Sequence, residues 1–343
     1  ISVAITAADG IGFPGLVKPL RRIRERNIRL IGLANTPQAV GFSMMDASHV
    51  IPHADKNSFI PEMLRICNQE RVDVLVSIAP WELKKLSNNI SVFENAGVAV
   101  PISSPKSLRV SMDKHLTFKH CEKIGVPVPS YYSVKDLKTL VKAARDLGYP
   151  ENEICFKPAM SAGSRGFRII KSGIDRLKIL LEYESGCVYM DIDELCSTLR
   201  SVDSFPEMLI MEYLPGDEYS VDVLADNSKA LLVIPRTRRK VAMGASISGE
   251  IVKNDTIIGY STKVVESMGL NGVVGLQFKA DASGTFKMLE VNPRPHGALS
   301  FSTAAGANLL YLSIKLALGE KVKLPSVKWG TKIHRYFSEG ILK

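Results

Sequence analysis

Apolar positions along the chain recur with two different periods. Val3–Ala7 is a short, mostly apolar run ending at Asp9-Gly10, the pattern of a buried strand. Leu16, Val17, Leu20 and Ile23 then repeat at helical spacing, with Arg21, Arg22, Arg24 and Arg26 on the other face. Further strands are expected at Leu30–Ala34 and Val72–Ile78, with a helical pattern over Phe59–Asn68 between them. Strands alternating with helices predict a parallel sheet covered by helices. Val100-Pro101-Ile102-Ser103-Ser104-Pro105 reads as a linker or a last edge strand. A helix capped by Asp113 is expected to run to Ile124 and to stop at Gly125 and Pro127.

Beyond that point the pattern becomes α+β. Short strands are expected at Cys155–Lys157, Phe167–Ile170, Leu209–Glu212, Tyr219–Ala225, Ala230–Ile234, Val273–Lys279 and Phe286–Val291, joined by turns and hairpins. A last long helix is expected over Ala304–Leu318, stopped at Gly319. The chain has no internal repeat and no low-complexity tract.

Composition narrows the class. With 343 residues and 45% hydrophobic residues, the chain is long enough for two domains with real cores and too apolar for general disorder. No apolar run approaches the roughly 20 residues that span a bilayer, so an integral membrane protein is not expected. The start, Ile1–Thr6, lacks a basic leader and reads as a core strand. Cys67, Cys121, Cys155, Cys187 and Cys196 are never spaced as CxxC. That pattern argues against a disulfide framework or a zinc site, and for a reducing cytoplasm. The net charge of +9 admits either nucleic acid or anionic small molecules. No basic stretch is interleaved with aromatics, so nucleic acid is not expected as a partner.

Five segments carry candidate chemistry. Gly10-Ile11-Gly12-Phe13-Pro14-Gly15 matches GxGxxG after a strand, which raises a dinucleotide site. Pro19 inside the following helix and Asn35, where a ribose-binding acid is needed, argue instead for a structural glycine turn. Lys157 ends an apolar strand and is followed by Ser161-Ala162-Gly163-Ser164-Arg165-Gly166. A small-residue loop lets backbone N–H groups approach phosphate oxygens, with the lysine as a point charge. An ordinary hairpin turn is the plain alternative. In Met211–Asp222, alternation puts Glu218, Ser220 and Asp222 on one face, either solvated or presented to sugar hydroxyls.

The densest constellation is Gly275–Ala280, a turn at Asp281–Gly284, and Leu289–Pro295. A four-residue turn would pair Ala280 with Thr285 and set Gln277 opposite Met288. Gln277, Glu290 and Asn292 would then share a face, and three hard oxygen ligands suit Mg²⁺. Arg294, between two prolines, adds a fixed cation. A merely polar outer face does not explain why these groups cluster on one stiff segment. His49, His53, His115, His120 and His334 show no ligand spacing, and His296 differs from them only in its neighbours. Arg236, Arg238, Arg239 and Lys240 form a basic strand end, either solvated or an anion-binding rim.

This order of motifs resembles the ATP-grasp superfamily, and most closely one ATP-grasp half of the carbamoyl-phosphate synthetase large subunit with its preceding domain. The resemblance covers nearly the whole chain, most specifically from Asp113 to about Gly306. It implies a Rossmann-like pre-ATP-grasp domain at residues 1–110 and an ATP-grasp domain at 111–343. The latter would divide into an ATP-binding lid subdomain at about 125–212 and a metal-binding and C-terminal subdomain at about 213–343. It further implies that Lys114 and Lys157 reach the phosphates under a lid of Ser164-Arg165-Gly166. Glu212, Tyr213 and Leu214 match the adenine hinge, and Glu218 the ribose-binding acid. Gln277, Glu290 and Asn292 match the metal ligands for Mg²⁺ or Mn²⁺, and Arg294, with Lys157, the catalytic cations.

The loop is less glycine-rich than in the synthetase, and a second ATP-grasp unit is missing. The expected function is that of an ATP-dependent carboxylate–amine (or other nucleophile) ligase working through an acylphosphate. A bicarbonate-phosphorylating enzyme is the alternative, and an ATP-binding regulator the non-enzymatic one. Small-molecule substrates are expected as partners, a membrane is not, and a homodimer is allowed. On this reading Lys114, Lys157, Arg165 and Arg294, with Arg236 and Arg238 as further candidates, give the excess positive charge an anionic small-molecule target.

Overall fold

The computed structural model describes residues 1–160, 166–182, 188–202, 204–242 and 245–336. The chain forms two compact units. One comprises Ile1–Met112, Glu218–Phe278 and Glu290–Lys343; the other comprises Asp113–Asp217 and Lys279–Leu289.

The first unit opens with four strands, β1 (Ser2–Ile5), β2 (Arg29–Ala34), β3 (Ala47–Val50) and β4 (Val74–Val76). They form an all-parallel sheet in the order β3-β2-β1-β4. The near-continuous aliphatic runs reflect burial on both faces. Val3 and Ile5 pack into one cluster with α1 (Phe13–Arg21), and Ala4 into another with α2 (Phe59–Gln69). Helix α1 ends at Arg21 rather than continuing through Ile23. Pro19 has no N–H to donate, and the chain beyond it closes with i→i−3 bonds, Arg22 N to Pro19 O and Ile23 N to Leu20 O. Helices α3 (Pro80–Asn88) and α4 (Ile90–Asn95) follow. Ala99 bridges alongside β4, residues 100–104 that follow form no strand and act as a linker, and α5 (Pro105–Ser111) starts directly from the Ser104 cap.

The second unit starts with α6 (Lys114–Lys123), where the Asp113 carboxylate accepts the Leu116 N–H at 3.0 Å, as the sequence predicted. Its sheet contains β5 (Tyr131–Val134), β6 (Ile154–Pro158), β7 (Arg168–Ile170), β8 (Tyr189–Met190) and β9 (Met208–Glu212), in the order β5-β9-β6-β7-β8. Helices α7 (Leu137–Asp146), α8 (Arg176–Glu182) and α9 (Ile192–Arg200) complete this segment. Ile154, Phe156 and Ile210 face α7 and α9, while Cys155, Leu209 and Met211 face Phe118 of α6.

The remaining strands return largely to the first unit. β10 (Glu218–Asp226) and β11 (Lys229–Thr237) form a long hairpin, and β12 (Lys240–Ala242), β13 (Ala245–Glu250) and β16 (Lys332–His334) a small sheet. α10 (Asp255–Met268) precedes β14 (Gly272–Ala280) and β15 (Phe286–Asn292), and the larger sheet runs β11-β10-β14-β15. The expected last helix is two helices, α11 (Ser300–Ala304) and α12 (Leu309–Ala317). Gly306 takes φ +96 between them, and the Asn308 side chain caps the second helix. Val3, Ile5, Phe13, Leu224, Ile234, Phe301 and Leu310 belong to one core cluster, so the N-terminal sheet and the C-terminal segments fold as one body. Arg26 clamps Glu320 through two bonds of 2.6 and 2.8 Å at its margin.

The β14–β15 turn corrects the expected register. Asp281 N donates to Thr285 O and Gly284 N to Asp281 O, with Gly284 at φ +86. Asp281 rather than Ala280 therefore pairs with Thr285, because glycine in the left-handed region closes the loop with one residue fewer. On β15, Met288 and Val291 are buried while Leu289 and Glu290 between them are both half-buried. That slip in alternation is the mark of a bulge.

Glu82 of α3 is a buried acid whose Oε2 accepts from Thr6 Oγ1 (2.5 Å) and Ser77 Oγ (2.8 Å). Burial pushes its pKa up to about 7, against the two hydrogen bonds. The unfolded chain loses this proton at lower pH than the folded one, so stability falls as pH rises through the window from the ordinary carboxyl value to about 7. Glu82→Gln is expected to flatten that slope and to gain up to about 3 kcal/mol over wild type at pH 8 in urea denaturation. An unchanged slope between pH 5 and pH 8 would exclude this origin.

Candidate functional site

Each unit carries one group of candidate residues. In the second unit, Lys157 lies in β6 with its ammonium buried, 3.5 Å from the Leu289 carbonyl oxygen and 5.4 Å from the centre of the Phe118 ring. Lys114, also buried, opens α6, and its N–H donates to Ala159 O at 3.1 Å. That bond ties the start of the helix to the chain just past β6. Gly166 takes φ +74, where an added Cβ would lie 2.8 Å from the Pro158 ring. Only glycine lets the returning chain lie against Pro158 here. Ser164 and Arg165 fall outside the described residues.

The hinge segment leaves β9. The Glu212 carboxylate accepts from Ser130 N (2.6 Å) and from Lys287 Nζ (2.7 Å). Its side chain is therefore tied to its own scaffold. Lys279 sits 4.9 Å over the Tyr213 ring, and Leu214 is buried.

In the first unit the polar groups gather on one face of a sheet. Ser220 pairs with Arg236 and Asp222 with Ile234 across β10 and β11, so Glu218, Ser220, Asp222, Arg236 and Arg238 share a side. Glu218 Oε1 pairs with Arg238 Nη1 at 2.9 Å. Asp222 is fully buried and receives Arg236 Nη1, Ser302 Oγ (2.7 Å) and His296 Nδ1 (3.0 Å). Burial pushes the Asp222 carboxyl up, but Arg236 and His296 outweigh it, and the carboxyl is held well below its ordinary range.

Arg236, placed by sequence on a solvated face or an anion-binding rim, is instead wholly buried. The pairing of β10 with β11 turns it inward onto Asp222. It is thus not one of the cations open to an anionic ligand.

The chain of contacts continues to the expected metal strand. His296 Nε2 lies 3.5 Å from Asn292 Nδ2, which donates to Glu290 Oε1 at 2.8 Å. A Cβ at Gly275 would come within 2.2 Å of the imidazole, so β14 turns that position toward His296. Gln277, two residues on and half-buried between Leu276 and Phe278, points to the same side. Arg294 Nη1 donates to Pro295 O at 2.9 Å, while its Nε is buried with no hydrogen-bond partner among the described residues.

Among the described residues there is no cluster of three His, Cys, Asp or Glu side chains suited to a metal ion. The set offered here is one carboxylate and two amides. Such a set fits a hard cation that shares its remaining ligands with phosphate and water, and the orphaned Arg294 Nε fits an anion beside it. Sequence reasoning set His296 aside and did not use Gly275. The glycine two residues before Gln277, in a strand with buried neighbours, was the available signal.

Comparison with known proteins agrees with this layout. Residues 204–336 match the family model described as ATP-grasp in the biosynthetic pathway with Ter operon, and residues 16–101 match the PylC-like N-terminal domain. Over residues 204–336 the chain is thus similar to an ATP-grasp family. Among individual relatives, it is 24% identical over 349 residues to the carbamoyl phosphate synthase large chain of Clostridium perfringens, covering 96% of this chain and 30% of that one. The chain thus spans about a third of the length of that relative.

The fold is similar to N5-carboxyaminoimidazole ribonucleotide synthetase in its ADP complex, with TM-score 0.72, 16% identity, and coverage of 96% of this chain and 80% of that one. It is also similar to the biotin carboxylase domain of Hydrogenobacter thermophilus 2-oxoglutarate carboxylase with MgADP and bicarbonate, with TM-score 0.71, 15% identity, and coverage of 96% and 73%. The architecture is therefore the expected one, a parallel α/β domain followed by an ATP-grasp fold.

Arg236→Met leaves the Asp222 charge buried with one partner removed. Chemical denaturation is expected to show a loss of about 3–5 kcal/mol. A loss under about 1 kcal/mol, the scale of an exposed ion pair, would contradict a buried pair.

Proposed function

We propose that this chain is an ATP-dependent ligase that activates a carboxylate as its acylphosphate and passes the acyl group to an amine or another nucleophile. The observation that carries the reading is the single sheet face holding Gln277, Glu290, Asn292 and the half-satisfied Arg294. Phosphoryl transfer asks for positioning and charge neutralisation rather than covalent catalysis by the protein. On this reading Lys114 and Lys157 bind the phosphates, Ser164, Arg165 and Gly166 contribute to the same phosphate contacts, and the backbone of Glu212–Leu214 takes the adenine. Glu218, steadied by Arg238, receives the ribose hydroxyls.

Gln277, Glu290 and Asn292 hold Mg²⁺ or Mn²⁺, which when bound neutralises charge on the phosphates. Arg294 and Lys157 stabilise the negative charge that develops as the substrate carboxylate oxygen attacks the γ-phosphorus and the bond to ADP breaks. The nucleophile then displaces phosphate at the acyl carbon and loses its proton. The residues named form no covalent link to substrate, so no Ser-His-Asp arrangement is needed.

A second reading shares every one of these residues and uses bicarbonate as the acid. It is favoured by the relatives named above, a carbamoyl phosphate synthase chain and a carboxylase domain solved with bicarbonate. No helix among the described residues is long and apolar enough to cross a membrane.

An ADP-release screen over organic carboxylates and bicarbonate, each with candidate amines, tests the proposal. Turnover that needs an organic acid supports the ligase, whereas turnover with bicarbonate alone selects the second reading. Glu290→Gln and Lys157→Ala are each expected to lower turnover by at least about a hundredfold while the circular dichroism spectrum stays native. Wild-type turnover in Glu290→Gln would remove the metal assignment.

A further inference from the structure

We infer that His296, anchored by Asp222, is a positioning residue that turns the Asn292 amide oxygen toward the divalent cation. The inference rests on the ATP and metal reading above and adds two residues to it. A carboxylate only accepts hydrogen bonds, so the 3.0 Å contact between Asp222 Oδ1 and His296 Nδ1 puts a proton on Nδ1. The Arg236 Nη2 approach to the same nitrogen, at 3.4 Å, is then a packing contact, because that nitrogen has no lone pair left. Arg236 and the Ser302 hydroxyl occupy the other carboxylate oxygen, which fixes the Asp222 rotamer.

The other ring nitrogen, Nε2, faces Asn292 Nδ2 at 3.5 Å, and because an amide NH₂ only donates, Nε2 meets it with a lone pair. The same amide nitrogen donates to Glu290 Oε1 at 2.8 Å. Both neighbours demand N–H donors, so the NH₂ end of Asn292 lies between them and the carbonyl oxygen must point away. Only that oxygen can ligate a hard cation. A protonated Nε2 would repel the NH₂ group and favour the flipped amide, with its oxygen against the Glu290 carboxylate.

Gly275 completes the device. Its missing Cβ is the space in which the imidazole lies, on the strand that carries Gln277.

The tautomer is read directly in the wild-type chain labelled with ¹⁵N-histidine. His296 is expected to show Nδ1–H and a bare Nε2 at neutral pH, and an Nε2–H signal would overturn the proposal. Mn²⁺ binding in the presence of ADP, followed by electron paramagnetic resonance, gives the second arm. His296→Phe fills the space without an acceptor and is expected to weaken Mn²⁺ binding by about tenfold or more, with a matching rise in the KM for Mg²⁺. His296→Gln restores an acceptor near Nε2 and is expected to recover most of that loss, at equal thermal stability.

Equal affinity in wild type and the Phe variant would refute the positioning role, as would a Gln variant no better than Phe. If the wild-type chain binds no Mn²⁺ with ADP, the metal reading itself fails, and the role assigned to His296 goes with it.

Discussion

The first unit is organised around a carboxylate from which water is excluded. Asp222 has no exposed surface and meets a guanidinium, an imidazole and a hydroxyl, drawn from β11, the chain after β15 and α11. A buried charge of this kind is tolerable only if every lone pair is used, so each partner is constrained by the others. Arg236 cannot swing out to solvent, Ser302 fixes the start of the C-terminal helices, and His296 is held in one tautomer. Because β10 is central in its sheet, this one group sets the relation between the hairpin β10–β11 and the strand carrying Glu290 and Asn292.

Much of the fold was legible because its elements are short and strongly patterned. The parallel sheet, the capped helix at Asp113 and the strands around Lys157 and Glu290 follow from aliphatic runs and turn residues. Elements with weak patterns escaped. β3 alternates half-buried with exposed residues, β5 buries only Val134, and the leucines of α8 face outward. None of these presents the apolar face on which sequence reading depends. The split of the last helix was written in Gly306 and Asn308, which are stop and start signals that a count of apolar residues passes over.

The candidate site divides the same way. Gln277, Glu290, Asn292 and Arg294 could be found together because one hairpin supplies all four. The register between them missed by one residue, since a left-handed glycine shortens a turn without changing its composition. Asp222 and His296 are 74 residues apart, and no local pattern links them. Arg236 looked exposed because it stands in a run of cations at a strand end, and its buried partner Asp222 on the neighbouring strand is what makes its burial tolerable.

On the proposed metal reading, the chemistry of the ligand set explains why a histidine behind it should matter. Carboxylate ligands present an oxygen in either orientation, but an amide does so in only one of its two. A site with one carboxylate and two amides gains selectivity for a cation that arrives with phosphate, because the protein alone offers little negative charge to hold it. It also becomes sensitive to anything that fixes amide orientation. Glu290 meets Asn292 from one side and His296 from the other. On the proposed reading, the buried carboxylate that holds the sheet together thus also determines which atom of Asn292 faces outward, and one packing constraint serves both stability and ligand geometry.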